Sequence, residues 1–255
     1  MAVLTALLHG EIRKEQPMAT GGAFPTTQST WLLTLVGDGV ADAARGKAAE
    51  IARFALMERY AEPLAVFVRG SSLARLGEPA EIVNGFFAAR LSDDAAVGDF
   101  LSRWSRSGMR LRRWLMNAIL FHGQGLARDR MRAADRGSAV DPGTLDARAG
   151  AASTGELDFE RAWALAVVRE ATARAEQDLL AEGRGVDFDI FRRHAIDGLA
   201  YAAFARDVGR SEQQCAGATR LVAQRVRAKL AELLAEEGVP EHEIDDEIAR
   251  VRGAL

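Results

Sequence analysis

Between Leu199 and Leu230 the chain reads LAYAAFARDVGRSEQQCAGATRLVAQRVRAKL. Gly209 offers a tight turn, because a positive φ is cheap only for glycine. Ser211 can cap a following helix by accepting its orphan N–H groups. Along that helix Cys215, Ala218 and Val222 recur on one side, and Gln213, Gln214, Gly217, Arg220 and Gln224 fall on the other. Ala205 is small where two helices have to cross. The pattern predicts helix, turn, helix. Glutamine, arginine and serine can read base edges or hold phosphates, and such a motif presents its second helix to the major groove. A hairpin that merely packs has the same spacing, so both readings stand. Cys215, on the inward side, reads as a core thiol rather than a reactive one.

A second constellation is GMRLRRWLMNAILFHGQGLARDRMR, from Gly108 to Arg132. Basic residues flank an aromatic and apolar middle. That interleaving suits backbone tracking with base stacking on Trp114 or Phe121. The same residues, with Leu115, Ile119 and Leu120, also make an ordinary core stripe. Gly123 and Gly125 lie within one turn, each costing about 1 kcal/mol against alanine in a helix. They are expected to end or bend it.

Catalytic signatures are poor. His9, His122, His194 and His242 are scattered, with no pair at metal-ligand spacing. There is no phosphate-binding Walker segment, and the G-x-G at Gly123–Gly125 has Arg128 where a third glycine belongs. Asp93–Asp94 and Asp245–Asp246 read as capping or solvated residues. The expectation is a protein without catalysis of its own, without metal and without cofactor.

Charge tells more by position than by sum. Lys+Arg 33 against Asp+Glu 36 gives −3 over 255 residues. Between Leu101 and Arg136 nine arginines meet only Asp129 and Asp135. Between Leu199 and Ala231 six basic residues, Arg227 among them, meet only Asp207 and Glu212. Two basic islands in an acidic chain point to polyanion contact at two places, or to solvated helix faces. One cysteine excludes an intramolecular disulfide framework and fits a reducing cytosol. No apolar run approaches the roughly 20 residues of a membrane span, and the first residues do not read as a signal peptide. A cytoplasmic protein is expected.

The elements that must position these residues read as all-α, with abundant Ala, Leu, Arg and Glu. After a tail to about Gly22, helices are predicted near Thr30 (Trp31, Leu32, Leu35), from Ala43 to Val68, from Pro79, and from Arg110 to Arg132. The second carries Ile51, Phe54, Ala55, Met57 and Ala61 as its apolar stripe and should kink or divide at Pro63. The third carries Ile82, Val83, Phe86, Phe87 and Leu91. From Ala133 to Gly155 large apolar residues all but vanish around an Asp-Pro-Gly turn, the mark of a flexible linker. Order resumes at Phe159 with a long helix to Gly183 (Trp163, Leu165, Val167, Val168, Leu179). A short helix with Phe188, Ile190 and Phe191 follows, then the helix-turn-helix, then a last helix after Pro240. The division predicted is a tail over 1–23, a helical domain over 24–132, a linker over 133–158 and a helix-turn-helix domain over 159–255.

FPTT at Phe24–Thr27, ERYAEPLAVFVR at Glu58–Arg69, EPAEIVNGFFAARL at Glu78–Leu91 and the helix-turn-helix resemble, in this order, RNA polymerase sigma factors of the extracytoplasmic-function type. A one-domain helical repressor of the TetR kind would carry its helix-turn-helix near the N-terminus instead. The resemblance implies an alternative sigma factor whose partners are core RNA polymerase, promoter DNA and an anti-sigma factor. The first domain is then similar to sigma region 2, docking on polymerase through Glu81, Asn84, Phe86 and Phe87. It would melt the downstream element through Arg112, Arg113, Trp114, Asn117, Phe121, Arg128 and Arg130. The second is similar to sigma region 4, reading the upstream element through Ser211, Gln213, Gln214, Gly217, Arg220, Gln224 and Arg227. The sequence departs from the family's usual pattern at Glu81 (usually aspartate), Asn84 (usually glutamine), Gly217 and the Gly123–Gly125 pair. A sigma-like regulator that binds polymerase or DNA without opening promoters is the alternative.

Overall fold

The computed structural model describes residues 42–135 and 154–255. The expected tail, the helix near Thr30 and most of the expected linker lie outside the described residues. Among those described there is no strand, and the all-α expectation holds. They form two compact units: 42–135 with 154–166, and Val167–Leu255.

The first unit is built on α1, Asp42–Arg69. Its buried side is Ala48, Ala49, Ala52, Leu56, Tyr60, Leu64, Phe67 and Val68. The expected stripe is corrected here: Ile51, Phe54 and Met57 are 49%, 68% and 41% exposed. Both sides of α1 carry apolar residues at helical spacing, and the small alanines won the close packing. Pro63 does not divide the helix. It lies in the turns where Tyr60, Leu64 and Phe67 are buried, worth about 1.5–3 kcal/mol each against the roughly 3 kcal/mol of an interior proline.

A short 3-10 turn, Ser72–Leu76, is capped by the Ser71 hydroxyl, which accepts from the Leu73 N–H. Helix α2, Pro79–Arg90, starts on proline and buries Ile82, Val83, Phe86 and Phe87 against α1. Helix α3, Asp94–Ser107, is an element the sequence reading passes over. The Asp93 carboxylate caps it, accepting from the Ala96 N–H at 2.8 Å. Helix α4 runs from Leu111 to Asp135 without interruption at Gly123 or Gly125, against expectation. The reason is packing. A Cβ on Gly123 would stand 2.2 Å from Leu73 Cδ2. The bare backbone lets the 3-10 turn seat Leu73 directly on α4.

Helix α5, Thr154–Ala181, begins within the expected linker. Its first part, to Ala166, belongs to the first unit. Phe159 meets Phe67 edge-on, with ring centroids 6.2 Å apart, and Trp163 is 2% exposed.

The second unit holds the rest of α5, α6 (Gly185–Phe191), a π turn (Arg192–Ile196), α7 (Tyr201–Phe204), α8 (Glu212–Glu236) and α9 (Ile244–Ala254). Helix α8 packs on α6 and α9. Its core includes Leu179, Phe188, Ile190, Val222, Leu230, Leu234 and Ile248.

Candidate nucleic-acid interface

The turn before α8 forms as the sequence predicts. Gly209 has φ +66°. Its N–H donates to the Arg206 carbonyl at 3.1 Å, and the Arg210 N–H to the Ala205 carbonyl at 2.9 Å. This pair of bonds closes a helix end around a left-handed residue. Ser211 then makes a full capping box. Its hydroxyl accepts from the Gln214 N–H, and the Gln214 side chain accepts from the Ser211 N–H at 2.8 Å. Gln214 is therefore occupied in starting the helix rather than held out as a reading side chain.

Cys215 is 0% exposed and packs with Ile190, Phe204, Ala205 and Ala218. At 100° per residue, Gln213, Gly217, Arg220, Gln224 and Arg227 lie within about 80° of one another, and Cys215, Ala218 and Val222 lie opposite. Gln213, Arg220 and Gln224 are exposed. Arg220 makes no ion pair or hydrogen bond among the described residues. Arg227, on the same stripe, gives its guanidinium to Asp245 at 2.7 Å. Gly217 has open space where a Cβ would stand, leaving a notch in the stripe.

Asp187 braces this motif, and the sequence reading misses it. Its carboxylate is 6% exposed and accepts from Arg184 at 2.8 Å and Arg210 at 2.5 Å. Arg210 directly precedes the cap, so α6 and the turn are tied by charge. The available signal is an acid, Asp187, set between the apolar Val186 and Phe188, with Asp189 the second acid of the same short run.

Most of the second basic island is consumed internally. Arg225 pairs with Glu182 at 2.9 Å, and Lys229 with Asp178 at 2.9 Å. The Asp178 carboxylate raises the Lys229 ammonium above its usual range, against the opposing effect of burial. Arg206 and Arg220 are the members without such pairs among the described residues.

On α4 the same wheel puts Arg113, Asn117, Phe121, Gln124 and Arg128 within about 80°. Leu115, Ile119 and Gly123 form the buried side. Phe121 is 64% exposed. Trp114 is half-buried, its ring 6.1 Å from that of Phe100, so Phe121 is the aromatic turned to solvent. Arg130 is exposed but lies off this stripe.

Arg112 departs most from expectation. It is 7% exposed. Its Nε donates to Glu160 at 3.1 Å, and its guanidinium lies 4.2 Å over the Trp163 ring. Arg113 donates to Glu156 at 3.0 Å.

The expected docking helix, α2, presents Glu81 and Asn84 to solvent. Phe86 and Phe87 are both core, at 0% and 2% exposed. Phe86 packs against Phe100 and His122, so neither ring faces outward with the two polar residues. His122 is half-buried. Burial, with the Arg90 charge adding, lowers its imidazole below the usual histidine range.

Among the described residues no group of three or more His, Cys, Asp or Glu could hold a metal ion. No described helix is long and apolar enough to cross a membrane. No protein-family model, curated protein or solved structure matches the chain.

Proposed function

We propose that the chain is an alternative RNA polymerase sigma factor of the extracytoplasmic-function type. It binds core polymerase, directs it to promoter DNA and starts transcription in the cytoplasm, without catalysis of its own. The observation that carries the reading is the capped α8, with Gln213, Arg220 and Gln224 exposed opposite the buried Cys215–Ala218–Val222 stripe. A helix presented in this way can enter a major groove and read base edges. The continuous α4, with Phe121 and Arg128 outward, offers a rigid stacking and backbone surface for the opened strand.

The test is transcription with core polymerase on DNA selected by the protein–polymerase complex. Permanganate-reactive thymines at the downstream element should appear and should be lost with Phe121→Ala. A second reading, a sigma-like regulator that binds without opening promoters, draws on one observation. Phe86, Phe87 and Arg112, assigned to docking and melting by resemblance, are buried. Stable binding of polymerase and duplex DNA with no reactive thymines would select it.

A further inference from the structure

Three residues at the start of α5, Glu156, Glu160 and Trp163, share one stripe, four and three residues apart. All three engage adjacent arginines at the start of α4. Glu156 holds Arg113, and Glu160 and Trp163 hold Arg112. Two further contacts seat this stretch of α5. Phe159 packs on Phe67. Gly155 lies so close to Gly70 that a Cβ on Gly70 would stand 2.6 Å from the Gly155 Cα. The side chains that would meet a polyanion at this end of α4 are thus already neutralised by carboxylates of the same unit.

We propose that residues 155–163 are an acidic clasp, an autoinhibitory contact that withholds Arg112 and Arg113 from nucleic acid until it opens. The proposal rests on the nucleic-acid-binding reading of α4. The clasp is built to yield. The Arg113 and Glu156 side chains are 46% and 31% exposed, so this pair yields first, whereas Arg112 is 8% exposed and is held more firmly by Glu160 and Trp163. An exposed pair such as Arg113–Glu156 contributes little, because water screens it and both side chains give up rotamer freedom to hold it. A strand of phosphates that releases counterions on binding gains more than that per contact at low salt. Arg113 lies on the outward stripe of α4 and is freed by loss of Glu156 alone. Arg112 lies off it and needs Trp163 to leave as well. Opening is therefore graded: first one arginine, then the second together with a buried indole.

The test uses the full chain and its Glu156→Gln/Glu160→Gln variant. Both are titrated with a single-stranded oligonucleotide over a range of salt, and hydrogen exchange of 155–163 is followed throughout. The variant should bind several-fold tighter at low salt, with a salt slope steeper by about 0.7 for the freed Arg113, rising towards about 1.4 only where Trp163 also releases Arg112. In the unsubstituted chain the oligonucleotide should speed exchange over 155–163. Equal affinity and slope in the two proteins would overturn the clasp and leave the nucleic-acid reading standing. Slowed or unchanged exchange on binding would overturn it too. No binding by either protein would remove the nucleic-acid reading itself, and the clasp with it. If the double variant fails to fold, Glu156→Gln at the more exposed pair carries the test, with the slope still steeper by about 0.7.

Discussion

Gly123 and Gly125 offer one substitution at two sites on the same helix, with opposite expected signs. At Gly125 an added Cβ meets nothing within 4 Å. Gly125→Ala should therefore gain about 1 kcal/mol of helix propensity. At Gly123 the added Cβ stands 2.2 Å from Leu73 Cδ2 and 3.3 Å from both Leu73 Cδ1 and Cγ. Carbon atoms rest at about 3.5–4.0 Å, so the Leu73 methyl must retreat by more than about 1 Å. Leu73 is 1% exposed, and in a close-packed interior a displaced methyl pushes on its neighbours. Overpacking of this kind costs about 1–3 kcal/mol. Set against the same propensity gain of about 1 kcal/mol, Gly123→Ala should come out neutral to about 2 kcal/mol destabilised. The difference between the variants isolates the steric contribution, about 1–3 kcal/mol. The assay is urea unfolding followed by tryptophan emission. Trp104, Trp114 and Trp163 lie in the first unit, and no tryptophan follows Val167, so these rings report the first unit. Equal gains from both substitutions would refute the close seating of Leu73 on α4.

Arg220→Ala should weaken DNA binding by about 1–3 kcal/mol and relax preference at one base position if the guanidinium reads a base. If it holds only phosphate, affinity should fall alike on all sequences and the salt slope should drop by about 1; titrations on selected and scrambled duplexes separate the two. Ser211→Ala removes half of the capping box and should cost about 1 kcal/mol, read by far-UV circular dichroism on heating. His122 is held below its ordinary value of 6.5, first by burial and then by Arg90. The unfolded chain thus binds the extra proton first. The stability tied to neutral His122 is complete above about pH 6.5 and is lost as pH falls through the lower folded value. His122→Gln should flatten that part of the urea-midpoint profile, and an unchanged slope would exclude His122 as its source.

The parts legible in the sequence are those set by neighbours in the chain. Ser211, Gly209 and the Cys215–Ala218–Val222 stripe could be read because caps, positive φ and helical spacing are local rules. What stayed hidden depends on distant partners. Arg112 reads as a surface cation until Glu160, 48 residues on, and Trp163 are brought against it. A glycine pair inside a helix reads as a break unless the Leu73 methyls that occupy the missing Cβ position are known. On α1 the error has another cause. Ile51, Phe54 and Met57 outrank Ala48, Ala49 and Ala52 in hydrophobicity, yet alanine is what lets helices approach closely, and here the close face is the buried one. Helix α3 was missed because its core residues Val97, Phe100, Leu101 and Trp104 are separated by polar ones, and its strongest mark, the Asp93 cap, resembles any surface acid.

The allotment of 154–166 to the first unit bears on how such proteins can be recombined. A chimera spliced where large apolar side chains run out, between Ala133 and Gly155, would take Phe159 and Trp163 from one parent and Phe67 and Arg112 from the other. The recipient would have to supply a matching ring edge at Phe67 and an acceptor for an otherwise buried guanidinium. A splice after Ala166 keeps these partners in one inheritance unit. The modular seam of this chain thus lies inside a helix, and exchange of its two units should succeed or fail according to which side of Trp163 the crossover falls.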